Sequence, residues 1–274
     1  MPPRPIIALL TDFGLADPYV GAMKGVVLSL NPDAVLVDIS HQVRPQAVEQ
    51  GAFLLEQAYP YFPPWTVFVA VVDPGVGTAR RALALRTPRA FLVGPDNGLL
   101  SAALPEAVRE QAGEGPAAVT LPEGYIAVAI ENERYFRHPV SSTFHGRDIF
   151  APSAAYLSLG IPLESLGPVV REMVALPPFR ARPRPDGALA GKVVHVDRFG
   201  NLVTNIRSRD LPGGRIEVEV CGRRVPGLVR TYAEAEGLCA LIGSAGYLEI
   251  ALPMGSAAEA LGADIGAQVV ARPV

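Results

Sequence analysis

Lysine is nearly missing from this chain. Of 24 basic residues only Lys24 and Lys192 are lysines, and the rest are arginines. That bias suits a heat-adapted protein or a GC-rich genome, and it does not separate the two. Cysteine is limited to Cys221 and Cys239, in no metal-like cluster, and they read as two buried thiols rather than a disulfide framework. No His-Glu-x-x-His or Cys-x-x-Cys spacing occurs, so no dedicated zinc site is expected. The net charge is −3 and no basic stripe with interleaved aromatics is present, which excludes the electrostatic footprint of a nucleic-acid binder. No apolar run reaches the roughly 18 residues of a membrane span. The N-terminus enters a strand-like segment almost at once, with no charged region and cleavage site, so no signal peptide is expected and the cytoplasm is the default compartment.

What is present describes a well-buried globular protein. The 274 residues are 49% hydrophobic and 19% charged, a size at which one core tends to become two. The first two-thirds alternates in the α/β manner. Strands are expected at 5–10, 34–39, 66–72, 82–86, 90–93 and 125–130. Helices are expected from Asp17-Pro18, read as an N-cap with proline at the first helical position, to about 30. Further helices are expected at 47–59, briefly from 98, and at 148–157 with Asp148 as its cap. Four prolines in the nine positions 177–185 favour an extended connection. The boundaries are therefore an α/β domain over 1–178, a linker over 179–189, and a second domain over 190–274. In that second domain strands are expected at 192–196, 202–206, 215–220, 238–242, 247–252 and 268–271. They suit a small β-barrel or a sandwich with no helical layer.

The polar segments fall at strand ends. The third strand delivers Asp73 into Asp73-Pro74-Gly75-Val76-Gly77-Thr78-Ala79-Arg80-Arg81, a tight loop with a cation seven residues after the carboxylate. Strand ends of this kind carry ligand chemistry in open α/β sheets. Asp73 and Arg80 form either a structural ion pair or a water- or substrate-gripping pair, and the glycine-rich setting favours the second. Thr11-Asp12-Phe13-Gly14 ends the first strand; Asp12 either receives ribose hydroxyls or caps its own turn. Gly94-Pro95-Asp96-Asn97-Gly98 reads as turn chemistry. His145, in Ser141-Ser142-Thr143-Phe144-His145-Gly146-Arg147-Asp148, is placed to orient a water, whereas His41, His138 and His195 lack such company. Asp197-Arg198-Phe199-Gly200-Asn201 offers an aromatic and an amide to a planar base, although a hairpin bend explains it more simply. Gly243-Ser244-Ala245-Gly246-Tyr247 is a second small-residue turn able to offer backbone amides.

In order and spacing these segments, with Asp17-Pro18-Tyr19 and Ser244-Ala245-Gly246-Tyr247-Leu248, resemble one family over nearly the whole chain. It is the S-adenosyl-L-methionine (SAM) hydroxide adenosyltransferases, adenosine-forming SAM hydrolases related to fluorinase and chlorinase. The resemblance implies an N-terminal α/β domain with a mostly parallel sheet, a smaller all-β C-terminal barrel, and a homotrimer with sites at subunit interfaces. It matches Asp73, Arg80 and His145 to the catalytic set. It matches Asp12 to the ribose hydroxyls, Asp17 and Asp197 to the methionine end, and Phe199 and Asn201 to the adenosine and methionine portions. Ser244 and the turn through Tyr247 would contact methionine, Phe144 belongs to the substrate-binding set, and the backbone near Met254 would face the adenine edge. Departures are Asp73 where fluorinase has tyrosine, Gly146 where it has serine, Gln46 near its ribose-stacking aromatic, and Pro253 where relatives often carry asparagine.

The implied reaction is attack of water or hydroxide on the ribose C5′ of SAM, expelling L-methionine. It calls for no cofactor, since the sulfonium is already an activated leaving group and SAM itself is the substrate. Three competitors remain: a halide-using synthase of 5′-halo-5′-deoxyadenosine, a non-catalytic adenosine or SAM binder, and a metal hydrolase built on Asp12, Asp73 and His145.

Overall fold

The computed structural model describes residues 4–274, which divide into two compact units at the Pro178/Phe179 junction. The first unit contains, in chain order, β1 (Ile6–Thr11), α1 (Tyr19–Leu30), β2 (Val35–Ser40), α2 (Val48–Ala58) and β3 (Thr66–Val71). There follow β4 (Ala82–Arg86), β5 (Ala90–Pro95), α3 (Glu106–Arg109), β6 (Ala117–Thr120) and β7 (Ile126–Ala129). The unit ends with α4 (Ala151–Ser158), β8 (Val169–Val170) and β9 (Glu172–Ala175).

Seven strands form one mixed sheet in the order β2-β1-β3-β5-β4-β7-β8. The pairings among β2, β1, β3 and β5 are parallel, and those of β5–β4, β4–β7 and β7–β8 are antiparallel. β3 is buried at all six positions because helices cover both faces, and its sequence is accordingly apolar without alternation. Ile7, Leu9, Val67, Val69 and Val71 face α1 and α4, where Met23, Val27, Phe150 and Ala154 complete one core. Met23 and Val27 are fully buried, worth about 2 kcal/mol each by transfer from water. On the other face α2 sets Gly51 against Leu10 and Val72.

The strand order creates one topological switch point. The chain leaves β1 for β2 on one side and leaves β3 toward β5 on the other, so a crevice opens beyond the C-terminal ends of β1 and β3. Thr11 pairs in register with Val71, which places Asp12 and Asp73 at the two lips of that crevice.

Two local expectations fail here. Asp17 does not cap α1: it is exposed, Pro18 holds the cap position, and no side chain caps the helix. The Pro18 carbonyl accepts the first helical bond, from Ala22 N–H. Nor does Asp148 cap its helix, which begins earlier as a π turn over Gly146–Phe150 and runs into α4. Asp148 is instead fully buried inside that turn, held by arginines. The short strands β6, β8 and β9 carry too few residues to leave a periodic signal.

The second unit contains β10 (Arg182–Pro183), β11 (Leu189–Val196), β12 (Leu202–Arg207), β13 (Ile216–Val220) and β14 (Arg223–Val225). It continues with β15 (Cys239–Ile242), β16 (Tyr247–Ala251), α5 (Ala257–Leu261) and β17 (Gln268–Pro273). The antiparallel order is β14-β13-β17-β11-β12-β16-β15, with β10 on β11. Leu228, just after β14, bridges to Ala240 of β15, so the two edges nearly close into a barrel. Val193, Leu202, Ile206, Val218, Leu248 and Ile250 fill its interior. Within the proline-rich stretch 179–189, Arg182–Pro183 pairs with Leu189 and Ala190.

Two expectations are corrected in this unit. A helix does contribute: α5 inserts Ala257 and Leu261 into the barrel core, capped by the Ser256 hydroxyl, which accepts Glu259 N–H, and ended by left-handed Gly262. Cys221 is exposed, not buried, because it forms with Gly222 the two-residue turn between β13 and β14, both at positive φ. Cys239 is buried as expected. Among the described residues no helix is long and apolar enough to cross a membrane.

Candidate active site

Asp73, Arg80 and His145 meet at the crevice. Arg80 Nε donates to Asp73 Oδ1 at 3.0 Å and its Nη2 donates to Oδ2, a two-point grip on the carboxylate. The same Nη2 lies 2.8 Å from His145 Nδ1. Both partners of the ion pair are largely withdrawn from solvent, with side-chain exposures of 6% for Asp73 and 11% for Arg80. The guanidinium also lies 5.3 Å from the centroid of buried Phe150.

A guanidinium has only donors, so His145 Nδ1 must accept and the ring is a neutral imidazole with its hydrogen on Nε2. The titration tendency agrees. Burial, then the neighbouring Arg80 charge, hold His145 below its ordinary value, outweighing the opposing pull of Asp73 and Asp148.

Four features fix this geometry. Arg81, adjacent to Arg80, turns the other way and pairs with buried Asp96, whose second oxygen accepts Val174 N–H at 2.8 Å. Asn97 donates to the Val72 carbonyl at 2.8 Å, tying down the strand end that carries Asp73. The turn chemistry read at residues 94–98 is thus a clip behind the site. Gly77, at φ 75°, brings its loop so close to the His145 loop that a Cβ would sit 2.5 Å from Ser142 O. Asp148 anchors the His145 loop from inside, accepting Ser141 N–H at 2.9 Å and two bonds from Arg147. Burial opposes its charge, but those hydrogen bonds and the Arg147 charge prevail and hold the carboxyl below the ordinary range.

Asp12 stands on the neighbouring lip. Its Oδ2 accepts Gln46 N–H at 2.8 Å, while Oδ1 is buried with no hydrogen-bond partner among the described residues. Burial raises its pKa, with the negative charge of Asp73 adding to the effect. A buried acceptor without a donor is costly and invites a ligand hydroxyl. Asp12 does not cap its own turn; Thr11 does, its hydroxyl accepting Phe13 N–H. Phe144 packs edge-on against Phe13 and Tyr19, with ring centroids 5.8 and 5.2 Å away, forming an aromatic wall. Asp17 is exposed in the preceding turn, outside this contact set. Asp12, Asp73 and His145 do not converge on a shared cation position, because the Arg80 guanidinium stands between the last two. Among the described residues no group of three or more His, Cys, Asp or Glu is placed to hold a metal ion.

The second unit gathers its own candidates around an open cavity of about 920 Å³, lined by Asp197, Phe199, Asn201, Ser244 and Met254 among others. Asp197 organises the β11–β12 hairpin: its carboxylate accepts Phe199 N–H, Asn201 N–H and the Asn201 side-chain amide, each at 2.8–2.9 Å. That network is the hairpin bend the residues predict, and it leaves the Phe199 ring 78% exposed at the rim. Met254, at φ 58°, is also fully exposed there. Tyr247 does not line the cavity: its ring is buried under Arg207, and its hydroxyl accepts from Arg207 Nε at 3.3 Å.

Glu249 and Tyr232, absent from the sequence-based candidates, line the same cavity. No lining residue is cationic. Burial, then the charge of Asp197, raise the Glu249 pKa. A Cβ on Gly243 would fall on the Glu249 carboxylate, so glycine is required for that acid to lie where it does. The signal available in sequence was parity along β16: Glu249 alternates with core residues Leu248 and Ile250 and faces outward from the barrel.

Comparison with known proteins then identifies the frame. Residues 7–167 match the SAM hydroxide adenosyltransferase N-terminal domain, and residues 191–270 match the C-terminal domain. An (R)-S-adenosyl-L-methionine hydrolase of Thermus thermophilus is 44% identical, covering 97% of this chain and 98% of that protein. A fluorinase of an Actinoplanes species is more distant, 30% identical over 90% of this chain and 91% of its own. An uncharacterized conserved protein of Thermotoga maritima, known by crystal structure, shares 34% identity at a TM-score of 0.83, covering 97% of this chain and all of that one. The chain belongs to the SAM hydroxide adenosyltransferase family.

Proposed function

We propose that this protein hydrolyses SAM to adenosine and L-methionine. The observation that carries the reading is the Asp73–Arg80–His145 set assembled at the switch-point crevice beside Asp12. Water oxygen attacks the ribose C5′ as the C5′–S bond breaks; sulfur keeps the electron pair and leaves as the neutral thioether of methionine. His145 Nε2–H donates to the incoming oxygen and orients its lone pair. Asp73, whose oxygens retain lone pairs beyond those engaged by Arg80, receives the proton. Arg80 holds both partners at fixed separation, so little reorganisation is needed as the sulfonium charge disperses. The unpartnered Asp12 oxygen and its bonded twin accept the two ribose hydroxyls.

The reading includes a cofactor-free reaction, because a sulfonium needs neither protonation nor a Lewis acid to depart. It also includes a homotrimer in the cytoplasm, with Asp197, Phe199, Asn201 and Ser244 of one subunit serving the nucleoside and methionine portions bound by the next. Halide is disfavoured as nucleophile, since the Asp73 carboxylate repels an anion at the attacking position. The test is incubation with SAM and chromatography for adenosine and methionine, repeated with chelator and with chloride. Equimolar products unaffected by chelator, absent in Asp73→Ala, support the reading. A halonucleoside, or identical traces for wild type and Asp73→Ala, refutes it. Light scattering tests the trimer.

A further inference from the structure

A second polar chain runs behind Asp12 and takes no part in the chemistry above. Thr11 Oγ1 lies 2.8 Å from His41 Nδ1, His41 Nε2 faces Asp38 Oδ1 at 3.0 Å, and Lys24 Nζ donates to Asp38 Oδ2 at 2.6 Å. Thr11 is fully buried and His41 is 4% exposed, so neither meets a substrate. The sequence gives His41 no polar company, yet the fold surrounds it. In the neutral tautomer with its hydrogen on Nε2, toward the Asp38 carboxylate, His41 leaves Nδ1 to accept the Thr11 hydroxyl hydrogen. That hydroxyl, thus oriented, turns a lone pair to Phe13 N–H at 3.2 Å.

The chain joins the two loops that build the Asp12 site. Gly14 N–H donates to the His41 carbonyl at 2.8 Å, and Gln46 N–H, from the loop that follows His41, donates to Asp12 Oδ2 at 2.8 Å. Regular pairing cannot make this join. The β1–β2 ladder shifts register between Leu9 and Leu10, with Leu9 opposite Asp38 but Leu10 opposite Ser40, and it ends there, so the Thr11–His41 side-chain bond ties the loops just beyond the last pair. A buried imidazole is costly unless its nitrogens find partners: Nδ1 is bonded to Thr11 Oγ1, while Nε2 has the Asp38 carboxylate in charge contact at 3.0 Å without a well-formed hydrogen bond.

We propose that His41, oriented by Asp38 and acting through Thr11, is a positioning residue that sets the Asp12 carboxylate for a vicinal diol and so determines specificity for ribose over deoxyribose. This rests on the ribose role given to Asp12 above. It does not depend on which bond of the substrate is cleaved.

The experiment measures binding of adenosine and of 2′-deoxyadenosine by calorimetry to the full-length protein, alongside SAM turnover. Wild type prefers adenosine. His41→Ala and Thr11→Val each weaken adenosine binding about 5- to 10-fold, the scale of one lost hydrogen bond, and leave 2′-deoxyadenosine nearly unchanged. Thr11→Ser, which keeps the hydroxyl, restores the preference. In turnover the same variants raise KM and spare kcat, the pattern of lost uniform binding. Added to Asp12→Asn, His41→Ala has little further effect, because the two act as one unit. If His41→Ala does not fold, Thr11→Val carries the test. Loss of turnover with retained ribose discrimination in wild type would sink the hydrolase reading and leave this inference standing. Equal weakening for both nucleosides, no wild-type preference, or full additivity with Asp12→Asn overturns the inference.

Discussion

Arg80 Nη2 faces His145 Nδ1 at 2.8 Å, and because arginine can only donate, that contact fixes the histidine as a neutral ring with its proton on Nε2. In the proposed mechanism that proton-bearing nitrogen meets the attacking water and Asp73 accepts the water's proton.

The His145 titration follows from this. Burial and Arg80 depress its pKa below the ordinary 6.5, so NMR of the ring should give a midpoint under that value. In Arg80→Met the depressing charge is gone while Asp73 remains, and the midpoint should rise. A folded value below the unfolded one means the unfolded chain takes up the proton first. The His145 contribution to stability is therefore complete above 6.5 and is lost as pH falls through the window between 6.5 and the folded value.

Asp148 should act on stability and, through the loop, on activity. Replacing it by Asn leaves Arg147 and Arg137 without their buried anion and should cost about 2–4 kcal/mol in denaturant unfolding. Its carboxyl is held below the ordinary range, so its contribution is present above the unfolded pKa and is lost as pH falls through the folded one. The stability gap between wild type and Asp148→Asn should accordingly narrow in acid.

Glu249 carries the opposite sign. Its pKa is raised by burial and by Asp197, so it stabilises the fold only at low pH, and that contribution disappears as pH rises through its folded value. Glu249→Gln should unfold at a higher temperature than wild type at pH 7 and show no advantage near pH 4. Asp197→Asn should lower the Glu249 titration midpoint, measured by carboxyl NMR.

Gly77 should be intolerant of a side chain for two reasons, its φ of 75° and the approach of Ser142 O. Gly77→Ala should cost about 1–3 kcal/mol and lower kcat by displacing the Asp73 loop from the His145 loop. Gly160→Ala is the control. Its φ of 87° carries similar strain, but no atom lies within 4 Å of the added Cβ, so stability should fall while activity holds.

How far the sequence foretold this arrangement depends on the range of the interaction. β3 was legible because a strand buried on both faces is apolar throughout, and Asp73 was legible as the first charge after it. The α/β alternation and the antiparallel strands of the second unit followed from periodicity in the same way. That Asp73, Arg80 and His145 would meet was not written locally, since residues 80 and 145 lie 65 positions apart and come together only through tertiary packing of their two loops. The partners of His41, a structural histidine, were illegible for the same reason: Thr11, Asp38 and Lys24 gather around it when β1 and β2 pair. Asp148 looked like a cap because the residue type is right, but a π turn moved the helix start ahead of it. Tyr247 stands at the end of a ligand-like turn, and its ring packs against Arg207 of the paired strand, a contact not legible from local sequence. The α5 signals, Ser256 with Glu259 and then Gly262, are written in the sequence but lie amid strand-like surroundings that mask a helix of five residues.

The central claim is that Asp73, Arg80 and His145 deliver solvent oxygen to C5′. The most direct measurement is SAM turnover in oxygen-18 water with mass analysis of both products. The account predicts one heavy oxygen in the 5′-hydroxyl of adenosine, none in methionine, and at least about 100-fold slower release in Asp73→Asn. Unlabelled adenosine, or label incorporated at an undiminished rate by Asp73→Asn, would contradict it.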